Sequence, residues 1–155
     1  MTFTDDNGKR MRLWIKEEVG SIPAPERFMD MYVDRIVGVM EHEPIDIYAN
    51  PTFLPDVIAG DYDRLWTPER MRKVVDAAKE NNVAVEINNR YRIPKTPFIE
   101  MAKRAGVKFS FGINNGDREL GRMEYAVQIV KECGLSWQDI FIPKLEGQKP
   151  VQVRA

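Results

Sequence analysis

The chain has 155 residues, 43% hydrophobic, 30% charged and 10% aromatic, which is enough to bury the core of one domain. Its 23 Lys+Arg against 24 Asp+Glu give a formal net charge of -1, so no basic excess exists to neutralise phosphates and nucleic acid is not an expected partner. A single cysteine, Cys133, excludes an internal disulfide and a multi-thiolate zinc site, and a single histidine, His42, excludes a His-rich metal cluster.

The amino terminus, Met1 to Gly8, is polar and has no apolar core of a signal peptide. No apolar run approaches the length of a membrane span, so the expected address is the cytoplasm, where a lone thiol stays reduced. Residues 1–20 read as a polar lead-in loop. From Pro25, the segment PERFMDMYVDRIVGVMEHE places Phe28, Met31, Tyr32, Ile36 and Val39 at helical spacing. Glu43-Pro44 ends it, because the residue before a proline avoids helical angles. Ile45 to Ala49 predicts a short strand closed by Asn50-Pro51.

A Gly/Asp/Pro-containing loop, Thr52 to Trp66, leads to Thr67-Pro68, an N-cap followed by proline at the first helical position. The helix that follows ends at Asn81-Asn82. Val83 to Ile87 predicts a second strand, ending at Asn88-Asn89. Thr96-Pro97 repeats the cap-and-proline start for FIEMAKRA, and Gly106 suits the left-handed position after a helix. Val107 to Gly112 predicts a third strand, and Ile113 to Asp117 a turn. A helix from about Arg118 to Cys133 carries Leu120, Met123, Tyr125, Ala126, Ile129 and Val130 on its apolar side. Ser136-Trp137-Gln138-Asp139 has the form of a capping box with Asp in the fourth place. Residues 144–155 read as a loosely held tail, and 1–155 as a single domain. Strands separated by full helices pair in parallel through right-handed crossovers, so the predicted class is α/β.

In such sheets the strands' carboxyl ends share one edge, where ligands bind. The first strand ends at Asn50, the second at Glu86-Ile87-Asn88-Asn89 and the third at Asn114-Asn115. Amides donate and accept, so this edge suits a polar ligand; each asparagine alone is also a natural turn residue. Glu86 on an inward position needs a partner, since burying an unpaired charge is costly. It can hold a hard cation, act as an acid/base, or pair with an arginine. Asn88 shares its face and Ile87 points the other way. Arg90 and Arg92 suit an anion clamp or ion pairs with Glu86 and nearby acids. His42 reads as a solvated helix-end residue, Cys133 as inert at a helix carboxyl end, and the methionines as core filler.

Three segments resemble the PHP (polymerase and histidinol phosphatase) superfamily. IDIYANP resembles its strand ending in His-Pro, VAVEINNR its Glu-Ile-Asn strand, and FIEMAKRAGVKFSFGINNGDRELGR the helix and strand leading to its Gly-Ser-Asp-Ala-His motif. The resemblance covers roughly Ile45 to Leu135. It implies a partial (half) PHP-like (β/α)7 barrel, the carboxyl-terminal half, with metal-dependent phosphoesterase chemistry at its mouth. Carried over by position, the family's metal-binding His is Asn50 here, its Asp is Asn114 and its second His is Gly116, so the metal site is degenerate. The family's amino-terminal His-x-His strand has no counterpart.

The function this implies is a hydrolase-like domain acting on or binding a phosphorylated or other anionic small molecule. Glu86 is its catalytic residue. Asn50, Asn88, Asn89, Arg90, Arg92, Asn114 and Asn115 are its substrate-binding residues. No metal ligand or cofactor is assigned, although a carboxylate among amides can hold Mg²⁺ weakly. The alternatives are a metal-free binding module and a structural half-barrel that works by assembly. Open sheet edges invite pairing, which predicts a homo-oligomer or association with a missing barrel half.

Overall fold

The computed structural model describes residues 2–4, 8–113 and 121–143. Two strands, β1 (Thr2–Thr4) and β2 (Arg10–Arg12), pair antiparallel, and a one-turn helix α1 (Lys16–Val19) follows them. The segment expected as a polar lead-in loop therefore carries two strands and a helical turn. Phe3, Met11 and Leu13 are buried; Thr2 and Thr4 flank the first and Arg10 and Arg12 the second, so each strand shows a single apolar residue in the sequence.

Helix α2 (Pro25–His42) starts on its proline and buries Phe28, Met29, Tyr32, Val33, Ile36 and Met40 along one stripe. It ends where Glu43 turns extended (φ −100°, ψ 144°) ahead of Pro44. Strand β3 (Ile47–Tyr48) is short. The stretch expected as a loop then holds two single turns of helix, α3 (Asp56–Ala59) and α4 (Tyr62–Leu65), which bury Ile58 and Leu65. Helix α5 (Pro68–Glu80) is capped by Thr67, whose hydroxyl accepts from the Arg70 N–H at 3.3 Å.

Strand β4 (Ala84–Asn88) leads into helix α6 (Thr96–Ala105). Thr96 does not cap that helix; it occupies the first helical position, and its hydroxyl donates to Glu132 at 3.3 Å instead. Gly106 closes α6 in the left-handed region at φ 80°, which its missing Cβ makes easy. Strand β5 (Phe109–Gly112) and helix α7 (Glu124–Glu132) follow. The helix expected from Arg118 thus begins, among the described residues, at Glu124. A 3-10 turn (Trp137–Asp139) opens on the expected capping box, with the Ser136 N–H donating to Asp139 at 2.8 Å.

The order β3-β4-β5 is parallel throughout, with Tyr48 opposite Val85, Glu86 opposite Ser110 and Asn88 opposite Gly112. Past the turn, Ile140 bridges Phe109 in parallel, and the Phe141 N–H donates to the Phe109 carbonyl at 2.7 Å. Alternation gives this sheet two unlike faces. Tyr48, Val85, Ile87 and Phe109 sit in the same buried cluster as Val74, Val75 and Ala78 of α5 and Phe98, Ile99 and Ala102 of α6. The other face carries Ile47, Ala84, Glu86, Asn88, Ser110 and Gly112, of which Ile47, Glu86, Ser110 and Gly112 keep access to solvent.

An aromatic ladder ties β1 to α2 and onward. Phe3 lies 5.3 Å from Phe28 and 6.0 Å from Tyr32, and Tyr32 lies 6.3 Å from Trp66, ring centre to ring centre. Such pairs prefer tilted or edge-on contact, as these adopt. The half-barrel expected from the PHP resemblance is not what forms. Among the described residues there are two short open sheets, of two and three strands, and no closed or half-closed barrel.

Candidate functional site

The carboxyl end of β4 gathers three of the polar residues picked out by the sequence. Alternation puts Glu86 and Asn88 on one face, and β3 delivers Asn50 beside them. The Asn50 backbone N–H donates to Glu86 Oε2 at 2.6 Å. Asn88 Nδ2 donates to the same oxygen at 3.1 Å and to Asn50 Oδ1 at 3.0 Å. Asn88 Oδ1 accepts from the Tyr91 N–H at 3.0 Å. Both ends of this amide are therefore bonded, which permits its complete burial.

Among the described residues these two donors are the only partners of the Glu86 carboxylate, and neither is a cation. The expected ion pair with Arg90 or Arg92 is not what holds it. One oxygen is pinned. The other, Oε1, lies over β5 where a side chain would stand: a Cβ built on Gly112 would meet it at 1.6 Å. Gly112 is the residue that sequence reasoning missed, because an absent side chain leaves no motif. Its place across from Asn88 in the register was the one available signal.

The remaining candidates separate. Asn89 turns away from Glu86. Its Oδ1 accepts from the Ala126 N–H at 2.8 Å and its Nδ2 donates to the Gly112 carbonyl at 3.0 Å. It thus caps the first turn of α7, where Met123 supplies no side-chain cap. The Arg90 guanidinium lies 5.7 Å from the centre of the Tyr91 ring.

Arg92, left-handed at φ 54°, donates to Gln128 at 2.9 Å and lies 5.1 Å from the centre of the Tyr125 ring. There it borders an open groove of about 470 Å³ whose other walls include Lys95, Thr96, Tyr125 and Glu132. Burial holds the Tyr125 hydroxyl protonated well above the usual phenol range, and it donates to the Pro94 carbonyl at 2.6 Å. Asn114 and Asn115 lie outside the described residues, as does Gly116. His42 Nδ1 sits 2.9 Å from the Gly38 carbonyl on its own helix. Burial pushes the Cys133 thiol up, with Glu100 and Glu132 adding to the shift, which disfavours a reactive thiolate.

The donor set at Glu86 is unsuited to a bound cation. Among the described residues no three His, Cys, Asp or Glu side chains gather as a metal site requires. The two N–H groups aimed at Oε2 present positive hydrogens there, leaving one carboxylate oxygen for a metal. Weak Mg²⁺ binding at this point does not fit that geometry.

The chain is similar to curated 3-hydroxyacyl-[acyl-carrier-protein] dehydratases. For FabZ of Helicobacter pylori strains Shi470 and P12 the identity is 26% over 119 residues, covering 74% of this chain and 71% of theirs. The protein of strain J99 matches to the same extent. No protein-family model matches the chain, and no solved structure does.

These findings overturn the PHP resemblance and the phosphoesterase, hydrolase-like reading that came with it. The motifs that carried it are short: Asn-Pro after a strand, Glu-Ile-Asn at a strand end, and an Asn-Asn-Gly tripeptide that lies outside the described residues. Runs of two or three residues recur by chance at strand ends, and Asn and Pro are favoured there for their turn conformations alone.

Proposed function

We propose that this chain catalyses proton transfer at Glu86, and that its reaction is the elimination of water from a 3-hydroxyacyl thioester. The observation that carries the reading is the carboxylate itself. It is half-buried, one oxygen is fixed by two N–H donors, and the other is left over Gly112. A general base needs this combination of fixed orientation and an unengaged oxygen. The similarity to the FabZ dehydratases supplies the substrate class.

In the elimination Glu86 Oε1 takes a proton from C2 of the acyl chain. The C2–H electrons form the C2–C3 double bond as the C3–O bond breaks. The carboxyl group then returns the proton to the departing hydroxyl, giving water and an enoyl thioester. One carboxylate thus serves as base and then as acid. The Asn50 N–H and Asn88 Nδ2 hold Oε2 still throughout, so no reorganisation is required at the moment of transfer.

The proposal includes a cytoplasmic setting, where a lone Cys133 stays reduced. Among the described residues no helix is long and apolar enough to cross a membrane. It also includes a homo-oligomer, supported by the outer edge of β3, to which no described strand pairs. Light scattering that finds a well-folded monomer at high concentration would remove the oligomer.

The chemistry is tested by incubating the purified chain with a 3-hydroxyacyl thioester of acyl carrier protein and following the ultraviolet absorption of the conjugated enoyl product. Turnover is expected in the wild type and a loss of about 100-fold or more in Glu86→Gln. A wild type without turnover, or Glu86→Gln equal to it, overturns the reading.

A further inference from the structure

The turn that delivers the Asn50 N–H is unusual in its backbone. Asn50 and Thr52, on either side of Pro51, both lie in the left-handed region, at φ 50° and 61°. Asparagine visits that region readily, but a β-branched threonine does so at a steric cost and persists there only where its surroundings impose it.

Those surroundings are specific. Thr52 is fully buried. Its Oγ1 accepts from the Tyr62 hydroxyl at 2.5 Å, and its carbonyl accepts from Trp66 Nε1 at 2.9 Å. Tyr62 is fixed in its turn: the Lys95 ammonium lies 4.4 Å from its ring centre and pairs with Asp63 at 2.8 Å. Burial pushes the Tyr62 hydroxyl up to about 12, so it remains a donor across the neutral range. A chain of contacts therefore runs from Lys95 through Tyr62 and Thr52 to the amide that grips Glu86. None of Lys95, Tyr62 and Thr52 takes part in a step of the elimination.

We infer that Thr52, clamped by Tyr62 and Trp66, is a positioning residue that holds the Asn50–Thr52 turn so that the Asn50 N–H fixes the Glu86 carboxylate. The inference rests on Glu86 being the base of the proposed reaction, but its geometry is readable without any substrate. Thr52→Val keeps the shape of the side chain and removes Oγ1; Tyr62→Phe keeps the ring and removes the donor; Thr52→Ser keeps Oγ1. The readout is the Asn50 backbone amide by nuclear magnetic resonance. A hydrogen bond to a carboxylate moves its proton downfield and slows its exchange with solvent. Glu86→Gln identifies that signature by diminishing it.

In Tyr62→Phe and Thr52→Val the signature is expected to diminish and the exchange to quicken at least ten-fold, while Thr52→Ser retains both. With the thioester, Tyr62→Phe is expected to lower kcat and leave KM unchanged. An Asn50 amide unaltered in Tyr62→Phe overturns the inference, even if Thr52→Val fails to fold. A signature that responds as expected, in a chain that turns over no thioester, upholds the positioning role and sinks the dehydration reading alone.

Discussion

The two faces of the parallel sheet are built to different rules. On one, Tyr48, Val85, Ile87 and Phe109 are buried in one core with residues of α5 and α6, where an unpaired charge would be costly. The other carries Ala84, Glu86, Asn88, Ser110 and Gly112, and the Glu86 carboxylate is held there by hydrogen bonds. The same three strands therefore supply stability through one face and a fixed carboxylate through the other. Residues one apart in sequence, Glu86 and Ile87, belong to separate tasks.

The largest expected effect comes from breaking the sealed face. Phe109→Ala is expected to cost about 3–5 kcal/mol in denaturant unfolding, from lost transfer energy plus the cavity left in a packed core. A cost under about 1 kcal/mol would mean that Phe109 is not buried as described. Filling the gap on the polar face comes next. Gly112→Ala puts a methyl where Glu86 Oε1 lies; it is expected to destabilise by about 1–3 kcal/mol and to abolish thioester turnover by displacing the carboxylate. Wild-type turnover in that variant would remove Gly112 from the site.

Glu86→Gln sharpens the comparison, because it should cripple turnover while changing stability by only about 1 kcal/mol, since the amide oxygen still accepts the two N–H bonds. A fourth change, Ser110→Ala, sits on the same face without a described role and is expected within about 0.5 kcal/mol of wild type.

The smallest effect concerns acid. The Ser136 N–H, which donates to the Asp139 carboxylate, holds that carboxyl below its ordinary value of 3.8. The sign follows from linkage. A depressed value in the folded state contributes stability above the ordinary range, and that contribution is lost as pH falls through the lower folded value. The group keeps access to solvent, so screening keeps the effect slight. Protection of the Phe141 N–H, bonded to Phe109, measured against its intrinsic exchange rate, should fall in acid more in the wild type than in Asp139→Asn, which lacks the titrating group. Equal pH profiles would dissociate the capping box from the sheet edge.

Much of the local structure was legible because it is written in single residues with one physical meaning. Pro25 and Thr67-Pro68 open helices, Gly106 closes one in the left-handed region, and Ser136 with Asp139 makes its capping box. The convergence of Asn50, Glu86 and Asn88 was also legible, since parallel strands bring their carboxyl ends to one edge. Elements held mainly by tertiary contact were not. The three-residue strands β1 and β2 carry no long alternation, and α3 and α4 are single turns below the length at which periodicity speaks.

Thr52 and Tyr62 were invisible for the same reason, because their contact joins two stretches that local pattern treats as loop. The family resemblance failed because motifs of two or three residues are too short to carry ancestry.

The aromatic ladder has an optical consequence. Of the three tryptophans, Trp66 is only 2% exposed while Trp14 and Trp137 are 50% and 75% exposed. Blue-shifted emission from the intact chain therefore arises at Trp66, which reaches the first strand through Tyr32 and Phe3. Fluorescence at that wavelength becomes a built-in gauge of whether the amino-terminal hairpin is docked, and it can be followed without any label.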